Sequence, residues 1–264
     1  MGDSAAQSAT SKGVQRILTI LAPFALLAGI WHFASTQLPD YLVPPLDRVF
    51  WRALAIIVDF SLFKDVLATA GRIMAGLAGA FVIGGVFAVL MHKSRRVEDF
   101  LGPILNFFQG IPALSWVVFA IIWFKHIEAR ILFIMVVTAL PAFSFQILSA
   151  LRAMSKDLVE MVLSFRPTRA KMFRMLVLPS ILPEILTSWR VNIGNASRVV
   201  VVAELVGATG GVGYRLLEQQ QLFDMAGALA WTLQLVFFVL ITQKILNLIE
   251  AWAFKYRAQS ERSL

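Results

Sequence analysis

The sequence contains no cysteine, so neither a disulfide framework nor a thiolate metal site is available to it. Its three histidines, His32, His92 and His126, lie far apart, and no histidine metal cluster is expected. Catalytic signatures are missing as well. There is no G-x-x-x-x-G-K-[ST] phosphate loop, no G-x-S-x-G elbow with a histidine placed to help, and no H-E-x-x-H pair. Charged residues make up only 15% of the chain, against about 25% in ordinary soluble domains. These absences leave no catalytic residues and no metal site to name. An integral-membrane enzyme would need acid, nucleophile or metal residues converging at membrane depth, and no such set is visible. A secondary transporter would be expected to show an internal repeat or paired broken helices, and neither stands out.

What is abundant is apolar sequence. Of 264 residues, 58% are hydrophobic, above the roughly 45–50% of soluble domains, and they fall in long blocks. Six blocks are long enough to span a bilayer: roughly 17–36, 66–91, 101–124, 128–150, 183–206 and 226–250. The chain therefore reads as an all-α, polytopic membrane protein of about six spans, occupying 14–255 between polar tails at 1–13 (read as disordered) and 256–264. The first block follows Lys12 and Arg16, and no small-residue cleavage site follows it, so an uncleaved span is expected. With the N-terminus inside, the inside segments carry 14 of the 24 Lys and Arg residues and the outside segments six. That asymmetry predicts both termini on the cytoplasmic side. It also accounts for the net charge of +8, so no nucleic-acid partner is expected. In the second block, the pairs Ala75/Gly79, Gly76/Ala80 and Ala80/Gly84 place small residues four apart, a spacing that lets helices approach closely in lipid.

One stretch departs from this pattern. "SKDLVEMVLSFRPTRAKMFRMLVLPSILP", Ser155 to Pro183, carries seven charges between blocks four and five. Ser155 is placed to cap a helix with Asp157 in its first turn. Leu158, Met161, Val162 and Phe165 share one helical face, and Asp157, Glu160 and Ser164 share another. Pro167 ends that helix, Thr168 can cap a second, and Pro179 and Pro183 punctuate the start of block five. Two roles fit this amphipathic pattern: a loop lying in the headgroup region, or a short helix docking into a partner's groove.

"DLVEMVLSFRPTRAKMFRMLVLPSILPEILTSWRVNIG" resembles the EAA loop of permease subunits from binding-protein-dependent ABC importers. Glu160 falls on that pattern's glutamate and Leu178-Pro179 on its Leu-Pro pair. "GRIMAGLAGAFVIGGVFAVLMHKSRRVEDFLGPILNFFQGIPALSW" and "VVAELVGATGGVGY" resemble the nitrate/sulfonate/taurine/bicarbonate branch of those permeases, and the likeness covers roughly residues 40–250. Two departures stand out. Met161 and Val162 replace the two alanines, and Arg166 sits where the loop glycine would be. A glycine permits a tight left-handed turn, whereas Arg166 before Pro167 predicts an extended link.

The resemblance implies a type I ABC importer permease (MetI-like) fold in the bacterial inner membrane, and a channel subunit rather than an enzyme. It implies that Asp157, Leu158, Glu160, Met161, Val162, Ser164, Phe165, Arg166 and Arg169 contact an ATPase. The partners it implies are a second permease copy, two ABC ATPase subunits that hold the ATP and Mg, a periplasmic or extracellular solute-binding protein, and membrane lipid. The chain itself would bind no cofactor. The solute it implies is a small oxyanion or sulfonate.

Two further features are read beside it. The cluster Gly207, Gly210, Gly211 and Gly213 lies outside in this topology and does not match a dinucleotide fingerprint. It is a candidate outer gate or binding-protein contact, or an ordinary loop. In block five, Asn195 and Arg198 fall close together on one helical side. A membrane-embedded arginine costs at least about 2.5–3.5 kcal/mol on insertion scales, so it faces protein, water or a counter-charge. Arg198 therefore either lines a pathway for an anion or forms a structural pair. Arg72, Arg190 and Glu204, near span ends, read as interfacial anchors.

Overall fold

The computed structural model describes residues 3–253, without the side chains of residues 3–18, Ile20, Lys156, Arg169 and Ala253. The described residues form helices and no strand: α1 (Asp3–Gln37), α2 (Leu46–Val58), α3 (Phe60–Lys93), α4 (Arg95–Gly110), α5 (Ala113–Trp123), α6 (Ile127–Arg152), α7 (Lys156–Ser164), α8 (Arg169–Met172), α9 (Leu178–Gly207), α10 (Val212–Gln221) and α11 (Met225–Ala253). The expected tail 256–264 lies outside the described residues. Helix α1 begins at Asp3, within the segment 1–13 read as a polar tail.

At the centre is α6. It packs along α3 on one side and α9 on another, with α4 and α5 completing its surroundings. The α3–α6 contact follows from the small residues of α3. A Cβ on Gly76 would lie 2.3 Å from Met135 Cβ, and one on Gly84 would lie 3.1 Å from both Phe143 Cβ and Ser144 N. Gly76, Ala80, Gly84 and Ala88 are buried on that side. Close backbone approach supplies van der Waals contact where lipid offers no hydrophobic drive between helices.

Helices α3, α6 and α11 are each long and apolar enough to cross a membrane unaided. The block at 101–124 is not a straight span. Here α4 and α5 meet at 97°, because Gly110-Ile111-Pro112 interrupts the helix: Ile111 is extended (φ −78°, ψ 124°) and Pro112 is the cap residue before α5. A second bent pair, 57°, joins the helix through α9 to α10. Five spans result if each bent pair counts as one, and the first expected block lies in α1. Pro179 and Pro183 do not break the fifth. A π-turn at Phe173–Val177, with Leu178 N donating to Phe173 O, carries α8 into α9 without a stop. Shifting one bond to i→i+5 beside Pro179 accommodates the amide that proline lacks.

The two ends of the bundle differ. At one, Arg152 at the end of α6 bonds Glu98 of α4 at 2.5 Å, directly before α7. The Arg152 guanidinium holds the Glu98 carboxyl below its ordinary range. The opposite end carries α2, the start of α3, the end of α9 and α10.

Candidate functional site

At the first end stands α7, with no extensive packing against any other of the described helices. Leu158, Met161, Leu163 and Phe165 are exposed, Phe165 by 80%, while Val159 and Val162 are half-buried. The polar side, Asp157, Glu160 and Ser164, is exposed too. The predicted amphipathic helix is therefore present, and its apolar side faces outward rather than onto its own bundle. Ser155 occupies the cap position without a side-chain capping bond. Thr168 does cap α8, its Oγ1 accepting from Lys171 N at 3.4 Å. Arg169 opens α8.

Arg166 corrects the sequence expectation. It is not extended but has φ +47°, and its N donates to Leu163 O at 2.9 Å. Pro167 disfavours right-handed helix at this position, and the chain takes the left-handed turn that a glycine would adopt without strain. For a residue with a Cβ the cost is about 1–2 kcal/mol.

At the opposite end the glycine loop is held from several directions. Glu204 of α9 is fully buried and accepts from Arg72 Nη1 at 2.7 Å, Thr69 Oγ1 at 2.8 Å and Gly213 N at 2.8 Å. Arg72 Nη1 also reaches Gly210 O at 2.8 Å. Its Nε and Nη2 bond both oxygens of Glu128, at 3.0 and 2.5 Å. Asp65 accepts from Gly211 N at 3.1 Å and Arg215 Nε at 2.7 Å. Thr69 Oγ1 also accepts from Val212 N at 2.8 Å. Three residues one helical turn apart on α3 (Asp65, Thr69 and Arg72) thus clasp the loop together with Glu204.

The glycines have distinct reasons. Gly211 has φ +112°, and a Cβ there would lie 2.6 Å from Glu204 Oε1 and 2.7 Å from Arg72 Nη1. On Gly213 a Cβ would lie 2.6 Å from Val201 O. Gly210 is half-buried, its added Cβ 3.0 Å from Asp65 Oδ1, while Gly207 has nothing nearer than 3.5 Å. Arg72 and Glu204 are not separate interfacial anchors; they form a buried pair whose satisfied hydrogen bonds offset desolvation. The sequence signal was two opposite charges inside the outer ends of different spans. Arg190 pairs with Glu250 of α11.

Arg198 shares an exposed side of α9 with Val191 and Asn195. Its Nη1 donates to Asn195 Oδ1 at 3.2 Å, and among the described residues no carboxylate lies within ion-pair distance of it. The structure thus brings Asn195 and Arg198 together, and sets them apart from both α7 and the clasp.

Comparison with known proteins agrees with this arrangement. Residues 80–255 match the family described as binding-protein-dependent transport system inner membrane component. The chain is 28% identical over 206 residues to the taurine transport system permease protein of Escherichia coli (strain K12), covering 76% of this chain and 75% of that one. It is 26% identical over 235 residues to the bicarbonate transport system permease protein of Synechococcus elongatus, covering 81% and 82%. The methionine ABC transporter MetNI, in an inward-facing crystal structure, shares the fold with a TM-score of 0.64 at 21% identity, over 73% of this chain and 95% of that one. The α-helical bundle, the free-standing α7 and these matches agree, and the chain belongs to the inner-membrane permease components of binding-protein-dependent ABC importers, in the nitrate/sulfonate/taurine branch.

Proposed function

We propose that this permease subunit forms, with a second copy, the pathway for a small anion of the sulfonate or oxyanion class. Permeases of this family work with a separate ATPase subunit and a solute-binding protein. In our reading two ATPase chains, which hold the ATP and Mg, dock on α7 at the cytoplasmic side, where both termini also lie. The binding protein delivers solute at the opposite end of the bundle, and the membrane is the bacterial inner membrane. The observation that carries this reading is α7 itself, an apolar helix face that the described residues leave uncovered. Closure of the ATPases would move α7 as a lever and switch the pathway's access by rigid-body motion.

The relatives named for taurine, which carries a sulfonate, and for bicarbonate support a solute with an anionic group. So does Arg198, whose charge faces outward from α9 with Asn195 as its side-chain hydrogen-bond partner among the described residues. The loop Gly207–Gly213 is the proposed outer gate, acting as a clasped segment rather than a slack one. The docking assignment is tested by copurification with the ATPase subunit. Phe165→Asp and Glu160→Lys are expected to reduce recovery of the complex while the permease keeps its melting temperature. Unchanged recovery with unchanged coupled transport would remove α7 from the interface.

A further inference from the structure

The sequence leaves residues 37–65 as a connecting segment, yet the structure builds α2 there, and neither α7 nor the clasp uses it. Helix α2 lies against α11 and α3 at the end opposite α7. Val49, Ala53 and Ile56 are buried on that side, and buried Gln234 of α11 donates Nε2 to Ala53 O at 3.0 Å. At 3.6 residues per turn, the remaining positions divide into two sectors. One holds Leu46, Phe50, Leu54, Ile57, Val58 and Trp51, all exposed, with Phe50 at 60% and Trp51 at 63%. Asp47 alone interrupts it, in the first turn, where an acid suits the helix dipole. The other sector holds Arg48 and Arg52. Both are drawn to the loops at this end, Arg48 to Asp40 at 2.9 Å and Arg52 to Asp224 at 3.0 Å.

Around the helix the order is therefore bundle, apolar surface, charge. That order suits a helix lying flat beside a membrane-embedded bundle, with lipid beneath it and water above. A helix standing in water would place its exposed phenylalanine and tryptophan at a cost of apolar surface. A helix crossing the bilayer would need about 20 residues, and α2 has 13. The spans it touches also carry exposed apolar side chains, among them Leu67 of α3 and Phe237 and Leu240 of α11. The apolar sector of α2 adds to that surface, and Phe60 follows it. Tryptophan and phenylalanine at headgroup depth are characteristic of membrane-interface helices.

We propose that α2 is a membrane-interface helix whose apolar sector occupies the headgroup–acyl boundary of the leaflet opposite α7, with Arg48 and Arg52 in water. The occupant of this face is lipid, not a second copy of the chain. The assignment does not depend on α7 docking an ATPase. Because the chain has no cysteine, single labels can be placed at exposed positions without background. Phe50→Cys, Ile57→Cys and Ala55→Cys, each carrying a nitroxide, would be reconstituted as the full chain in phosphatidylethanolamine–phosphatidylglycerol vesicles. Collisions with oxygen, which concentrates in the bilayer, are compared with those of a water-soluble nickel chelate. Labels at 50 and 57 are expected to favour oxygen, and the label at 55, on the charged side, to favour nickel. Nickel preference at all three positions would place the face in water and overturn the proposal. Labels at 50 and 57 shielded from both reagents would show protein cover. Added spin–spin broadening would identify the cover as a second copy, and either result overturns the proposal.

Discussion

Replacing Glu204 by glutamine tests whether the clasp is one coupled unit. The side chain keeps its shape but loses its charge. Its Oε1 can still accept from Thr69 and Gly213, while its amide group would point a donor at Arg72 Nη1, where the native carboxylate accepts at 2.7 Å. Breaking a buried ion pair from one side costs about 3–5 kcal/mol. Arg72 keeps Glu128 and Gly210 O and its side chain is 13% exposed, so the expected loss is smaller, about 2–3 kcal/mol. At roughly 2–4 °C per kcal/mol for a chain approaching this size, the apparent melting temperature should fall by roughly 4–12 °C. The assay is thermal unfolding of the purified permease, repeated in an Arg72→Met background. With Arg72 absent, Glu204 is left without its cation and the glutamine should cost little or even stabilise. An unchanged melting temperature for Glu204→Gln, or an equal loss in both backgrounds, would refute the coupling.

Gly211→Ala is expected to destabilise by about 2–4 kcal/mol, since it combines a left-handed φ with contacts near 2.6 Å. Gly207→Ala, with no such contact, should be near neutral, and equal melting temperatures for the two would count against a tight loop. Arg198→Leu should lower transport of an anionic solute in reconstituted vesicles while leaving the melting temperature unchanged or higher, because leucine is the easier residue to insert. A destabilised variant with normal transport per folded complex would make Arg198 structural. The Glu98–Arg152 pair gives an acid limb. The Glu98 carboxyl is held below its ordinary value, so its stabilisation is complete above the unfolded-state value near 4.5 and is lost as pH falls through the lowered one. Arg152→Gln should flatten stability against pH in that acid window, measured by melting temperature, and an unaltered profile would remove the pair as its cause.

Much of this arrangement is readable in the sequence because lipid imposes a simple rule on it. Apolar length gave α3, α6 and α11, and the spacing Gly76, Ala80, Gly84 gave the close-packing side of α3, though not its partner α6. The charged, amphipathic segment at 156–165 gave α7. Four features were less legible. The bend at Ile111–Pro112 was hidden by apolar residues on both sides, although Gly110 and Pro112 are the residues that interrupt a helix. The left-handed Arg166 contradicts local preference and follows from closing the turn between two short helices. Helix α2 was missed because it is too short and too charged for a span, and its identity depends on which side meets the bundle. Asp65, Thr69, Arg72 and Glu204 are separated by up to 139 positions along the chain, and only packing shows that they meet on one glycine loop.

In the proposed function this chain moves solute only through energy supplied by a partner bound at α7. The most direct measurement compares ATP hydrolysis and solute uptake for the purified permease alone, the ATPase subunit alone, and the complex in vesicles with its binding protein. The permease alone is expected to hydrolyse no ATP. In the complex, both hydrolysis and uptake should rise when the loaded binding protein is added, and both should be lost together in Phe165→Asp. ATP turnover by the permease alone, after contaminants are excluded, or uptake that proceeds without ATP, would contradict it.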